Sequence, residues 1–195
     1  MAGRRLAAGV GCAAVALTGA GCLGGGTKTV TVTHTRTVTT TKTVTKPDGS
    51  IAGAKPCTGT QLTAAFALVP GSAGAGQIVY ALSVRNSSAT PCSVRGVPQA
   101  TLLDASGTAL PTHVKPAGGG KRPIVLPPGA SAFAQARFSP DVAGDGDSQT
   151  GDCQPTAHTL QVTAEGGGVT EAPIKPPTSV CQQGTLNFEA FAYAG

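Results

Sequence analysis

Several short stretches imitate reactive motifs, and each departs at the residue its chemistry requires. Gly129-Ala130-Ser131-Ala132-Phe133 opens like the elbow that exposes a nucleophilic serine between a strand and a helix. It lacks the second glycine, which Phe133 replaces, and no helical pattern follows it. Ser131 therefore reads as the exit of a turn into a strand. Gly118-Gly119-Gly120-Lys121-Arg122 ends like a phosphate loop, but Arg122 stands where a Ser or Thr would hold magnesium, so it reads as a flexible loop. Asp141, Asp145, Asp147 and Asp152 cluster in DVAGDGDSQTGDC. A calcium loop needs a glycine at its sharp turn and a late bidentate Glu; Thr150 occupies the glycine position and no Glu follows. That segment reads as a solvated acidic loop. His113 and His158 show no spacing that pairs them with a Ser or Asp, and read as exposed strand-end residues. The expectation is no catalytic residue, no metal and no cofactor.

The cysteines carry more information. Cys57, Cys92, Cys153 and Cys181 are spread along the chain without a close C-x₂-C pair, so zinc is disfavoured. An even number in an exported domain implies two disulfides, with three possible pairings. Export is read from the N-terminus: MAGRR is a short positive segment and Leu6–Leu17 an apolar run of twelve residues, too short for a stable span. LTGAGC, ending at Cys22, resembles a bacterial lipoprotein lipobox, in which a peptidase cuts before a cysteine whose sulfur already bears a diacylglycerol. Ala20 and Gly21 match the small residues of that box, while Gly19 stands where an aliphatic residue is usual. Cys22 is the candidate lipidation site; cleavage after Ala20 or Gly21 with release of a secreted product is the alternative.

From Thr27 to Thr45 every odd position is threonine, and the even positions mix valine with Lys28, His34, Arg36 and Lys42. As a strand this segment has no face that can enter a core. Thr and Val are stiff and β-branched, so the segment stays extended without a partner. It reads as a disordered tether running from Cys22 to Pro56, with a reach of at most roughly 110 Å at ~3.3 Å per residue. Its positive charges keep it soluble and extended. In a second reading they are drawn to anionic wall polymer or lipid, at about 1 kcal/mol each. The net charge of +5 belongs to this region: residues 1–50 carry six basic side chains against one acidic, and the remainder balances eight against eight. A nucleic-acid partner needs its positive charge on a folded face, so none is expected.

The elements that would position any site lie between Cys57 and the C-terminus. LTAAFALV places Leu62, Phe66 and Leu68 on one face, and QIVYALSVRN alternates Ile78, Tyr80, Leu82 and Val84 before an Asn-Ser turn. VPQATLLD, TALPTHVK, IVLPPG, ASAFAQARF, HTLQVTAE and TLNFEAFAY follow, separated by Gly, Pro and Asn. Short alternating runs with no 3.6-residue period predict an all-β, immunoglobulin-like β-sandwich of about eight strands. All seven aromatic residues fall in these runs and read as core. With no Trp and two Tyr, the domain lacks the aromatic faces on which carbohydrate recognition generally relies.

VRNSSATPC (Val84–Cys92), CSVRGVPQATLLDASG (Cys92–Gly107), LPPGASAFA (Leu126–Ala134) and GDC (Gly151–Cys153) occur in this order after Cys57. Together they resemble an actinobacterial family of exported domains known as a domain of unknown function, number four-two-three-two. The run from Asn86 to Pro98 is the most specific part. Members are similar in carrying export or lipoprotein signals and low-complexity linkers, and the resemblance implies no activity. It does imply the disulfide pairing Cys57–Cys92 and Cys153–Cys181, with one cysteine in each matching place. The resulting expectation is a signal peptide (1–21), a lipid-anchor cysteine and tether (22–56), and a sandwich (57–195) at the extracytoplasmic face of the cell membrane. The sandwich is expected to be a non-catalytic binding or structural module whose partners are the membrane, through lipid, and a cell-wall polymer or an envelope protein. A secreted form of the same module and an envelope hydrolase are the alternatives.

Overall fold

A computed structural model of the chain describes residues 53–194. The signal segment, Cys22 and the threonine stretch lie outside the described residues. The strands are β1 (Leu62–Leu68), β2 (Ile78–Asn86), β3 (Cys92–Val94), β4 (Gln99–Leu103), β5 (His113–Gly118), β6 (Ile124–Leu126), β7 (Ser131–Phe138), β8 (Ala157–Thr163), β9 (Val169–Thr178), β10 (Thr185–Glu189) and β11 (Ala192–Tyr193). They pair in the order β4-β8-β9-β1-β2-β7-β10-β5, with β11 added to β7 and β3 joined to β6 as a separate ribbon. All pairs are antiparallel except β1–β9 and β5–β10.

The central pair explains how the layers close. Along β2 the buried Tyr80, Leu82 and Val84 lie opposite Ala136, Ala134 and Ala132 of β7. Large side chains facing small ones leave room for the rings of Phe66, Phe138 and Phe188. Phe66 sits 5.1 Å from Tyr80 and 6.0 Å from Phe188 between ring centroids, and Tyr80 sits 5.3 Å from Phe138. Tilted aromatic pairs of this kind add about 0.5–1.5 kcal/mol each beyond their burial. Leu102, Leu160, Val162, Ala172 and Ile174, from β4, β8 and β9, belong to the same continuous core. The result is an immunoglobulin-like β-sandwich.

β9 connects the layers. Val169–Pro173 pairs with β8, and Ile174–Lys175 then runs parallel to β1. Pro176 and Pro177 fall where the β8 ladder is interrupted, which suits residues without an N–H donor. This ten-residue strand is absent from the sequence reading, because its three prolines argue against any strand. Three further expectations are corrected. Phe191 lies between β10 and β11 rather than in a strand, and Leu68 is 37% exposed rather than inward. The chain also joins the domain before Cys57: Ser93 N–H donates to the Lys55 carbonyl at 2.9 Å, and Ser93 Oγ donates to the Ala54 carbonyl at 3.2 Å. Residues 54–56 are therefore part of the fold and not of the tether.

Candidate functional site

One end of the sandwich carries a groove of about 610 Å³. Its floor is apolar, formed by Leu62 at the start of β1, Val94 at the end of β3, Val162 near the end of β8 and Ala164 just after it. Val97, from the β3–β4 link, and Phe191, from the β10–β11 link, are half-buried and line its sides. Gly118, Gly119 and Gly120 line the remaining side as backbone.

Main-chain bonds hold these walls. Phe191 N–H donates to the Gly96 carbonyl, Ala190 N–H to that of Gly118, Gly166 N–H to that of Cys57, and Cys57 N–H to that of Ser93, each at 2.9 Å. Gly119 is required here: a Cβ would lie 2.7 Å from the Cβ of Ala190, and its φ is +95°. The bond between Cys57 and Cys92, with Cα atoms 4.8 Å apart, fastens the segment before β1 to the start of β3 directly beside the groove. At the rim Arg95 and Glu165 form an ion pair between two walls. Both side chains are partly exposed, so the pair adds about 0–1 kcal/mol to stability. Lys121 lines the groove and makes no ion pair among the described residues.

The acidic segment takes a different form from the solvated loop expected. Asp147 is buried, at 8% exposure, and its carboxylate accepts four N–H groups. Oδ2 accepts from Gly144 N–H at 2.8 Å and from Gln182 N–H; Oδ1 accepts from Gln183 N–H at 2.8 Å and Gln154 Nε2 at 2.7 Å. The hydrogen bond from Gly144, opposed by burial and joined by those from Gln154, Gln183 and Gln182, lowers its pKa to about 2. These bonds hold Gln182 and Gln183 at φ of 56° and 54°, left-handed conformations uncommon without glycine. The bond from Cys153 to Cys181, with Cα atoms 5.4 Å apart, secures the same turn. Asp147 is thus a structural carboxylate. A second, more polar and open cavity of about 650 Å³ lies beside this turn, against His113 and Lys115 of β5.

The remaining candidates stay apart. Ser131 opens β7 and is paired with Arg85, His113 is on β5 at a sheet edge, and His158 is on β8. Among the described residues no hydrogen bond joins Ser131 to either histidine. Pro127–Ala130 is a turn closed by Ala130 N–H to the Pro127 carbonyl at 2.9 Å, with Gly129 at φ +80° in the position such a turn reserves for glycine. No group of three His, Cys, Asp or Glu that could hold a metal occurs among the described residues, and no helix there is long and apolar enough to cross a membrane. The groove itself escapes sequence reasoning, since its walls come from six separated segments; the run Gly118–Lys121 and the aromatic Phe191 were its only visible traces.

Compared with known proteins, residues 57–192 match the family model described as Domain of unknown function (DUF4232). No curated protein matches, and no solved structure matches.

Proposed function

The chain belongs to the DUF4232 family, which brings a fold without an assigned chemistry, and from the groove we propose that this protein is a non-catalytic binding module displayed on the cell envelope. Lipid on Cys22 holds it at the outer face of the membrane, and residues 23–53 act as the tether. The observation that carries the reading is the groove of about 610 Å³, within the roughly 300–1,000 Å³ of small-molecule sites and lined largely by apolar side chains and glycine backbone. The carbonyls of Cys57, Ser93, Gly96 and Gly118 along it already accept main-chain N–H groups, and Arg95 is bonded to Glu165. Such a surface recognises an apolar group by shape and desolvation rather than by activating a bond.

Two measurements test the two halves. On detergent partitioning, wild type enters the detergent phase and Cys22→Ala stays in water, because a diacyl anchor holds far more firmly than a single chain; recovery of both in water refutes the anchor and leaves a secreted module. For the groove, the full-length Cys22→Ala chain is titrated with Nile red, an uncharged apolar dye. Saturable one-to-one binding is expected, and Val97→Trp, which fills the groove from its side, abolishes it. Near-UV circular dichroism verifies that the variant is folded. Absent binding, or equal binding by a folded Val97→Trp, overturns the reading.

A further inference from the structure

We propose that the ligand of this groove is a single-chain anionic amphiphile, a long-chain carboxylate whose tail lies along the apolar floor and whose head group meets Lys121. The inference rests on the groove being the binding site and goes further by assigning the chemistry of its occupant.

Few polar groups remain available inside the groove. Ser93 Oγ is directed to the carbonyls of Ala54 and Lys55, and the carbonyls of Gly96, Gly118, Cys57 and Ser93 each accept a main-chain N–H. Beyond Ser93, the polar side chains that line it, Gln99, Thr163 and Lys121 among them, are all exposed, so a sugar or peptide lying over the buried part would leave polar groups without partners, at a cost a hydrocarbon avoids. Leu62, Val94, Val97, Val162 and Phe191 offer a continuous apolar lining instead.

Three ionic side chains line the groove. Arg95 and Glu165 neutralise each other, which leaves Lys121 uncompensated, with Arg122 exposed next to it. Residues 51–195 carry equal numbers of acidic and basic side chains, so this positive rim is local and not a consequence of overall charge. Gly118, Gly119 and Gly120 precede Lys121 without side chains to screen it, so the ammonium can close over a head group at the mouth. One unpaired lysine beside an apolar trough matches one negative charge at the end of a chain.

The test uses the full-length Cys22→Ala chain loaded with Nile red, displaced by twelve-carbon ligands differing only at the head and kept below their micelle concentrations. Dodecanoate is expected to displace the dye at about fivefold lower concentration than dodecanol, the scale of one partly exposed charge contact, and dodecylamine to be the weakest. Lys121→Met should bring dodecanoate to the level of dodecanol and leave dodecanol unchanged. Lys121→Glu should reverse the order of dodecanoate and dodecylamine. Raising salt should narrow the gap in wild type, as screening requires. Equal displacement by dodecanoate and dodecanol refutes the head-group assignment while leaving the groove as a binding site. Dodecyl phosphate binding more than tenfold tighter than dodecanoate replaces the carboxylate with a phosphate ester and also overturns the proposal. Failure of Nile red to bind at all defeats the underlying groove reading instead.

Discussion

Replacing Asn86 by alanine should cost this domain about 2–4 kcal/mol, although the residue sits at the end of a strand where a turn asparagine is easily taken as replaceable. Asn86 is 0% exposed. Its Nδ2 donates to the carbonyls of Leu126 and Thr90, both at 2.8 Å, and its Oδ1 accepts from Ser88 N–H at 3.0 Å and Ser88 Oγ at 2.7 Å. Alanine removes all four contacts. Thr90 and Ser88 can turn to water, at small cost, but the carbonyl of the fully buried Leu126 loses a donor with no water to replace it. A buried polar group left in that way costs about 1–3 kcal/mol, and the space vacated by the amide adds to it. For a domain of this size the midpoint of thermal unfolding should fall by about 6–15 °C. Urea denaturation at constant pH is the assay, with Ser88→Ala as control; that variant loses a hydroxyl that donates to Asn86 and accepts from Thr90 N–H and Gln61 Nε2, all at partly exposed positions that water can reach, and should cost under about 1 kcal/mol. An unchanged denaturant slope keeps the comparison a matter of stability. If Asn86→Ala costs less than about 1 kcal/mol, or no more than Ser88→Ala, the buried junction between β2, β6 and the Ser88 turn does not carry the load assigned to it.

Reducing either disulfide should destabilise the fold strongly: with sequence separations of 35 and 28 residues, chain entropy gives about 3.5–4 kcal/mol for each bond. Thermal unfolding of Cys57→Ala/Cys92→Ala and Cys153→Ala/Cys181→Ala measures this, and a loss below about 1 kcal/mol for both would contradict it. Asp147, whose folded pKa of about 2 lies below its ordinary 3.8, contributes stability that is fully present above the ordinary value and lost as pH falls through about 2. Acid titration of stability in wild type and Asp147→Asn should therefore converge toward pH 2 and diverge above pH 4; parallel curves would remove Asp147 from its role. Gly184, at φ +73°, faces the carbonyl of Pro111, which a Cβ would overlap. Gly184→Ala should cost at least about 1–3 kcal/mol by calorimetry, whereas the open Gly107, also at positive φ, should tolerate alanine better.

The alternation of Tyr80, Leu82 and Val84 identifies β2 from sequence alone, since a period of two has one meaning when one face is buried. The same holds for β7, and enough such runs together specify an all-β sandwich. Family membership is also legible, because the resemblance rests on residue types in a fixed order along the chain, such as the run from Asn86 to Pro98, and the family model matches residues 57–192. β9 is not legible: its prolines are compatible with a strand only because the ladder breaks where Pro176 and Pro177 lie, and that break depends on β8 and β1. Asp147 looks like one solvated aspartate among four until the fold brings Gln182 and Gln183 to it across 35 and 36 residues. Phe191 reads as core because it falls in the run TLNFEAFAY, and becomes a groove wall only when its N–H meets Gly96. Periodicity, turn chemistry and cysteine count are properties of neighbouring residues, so the linear chain determines them. A cavity is a property of residues that approach from separate segments, and only tertiary packing decides which side chains are left facing it.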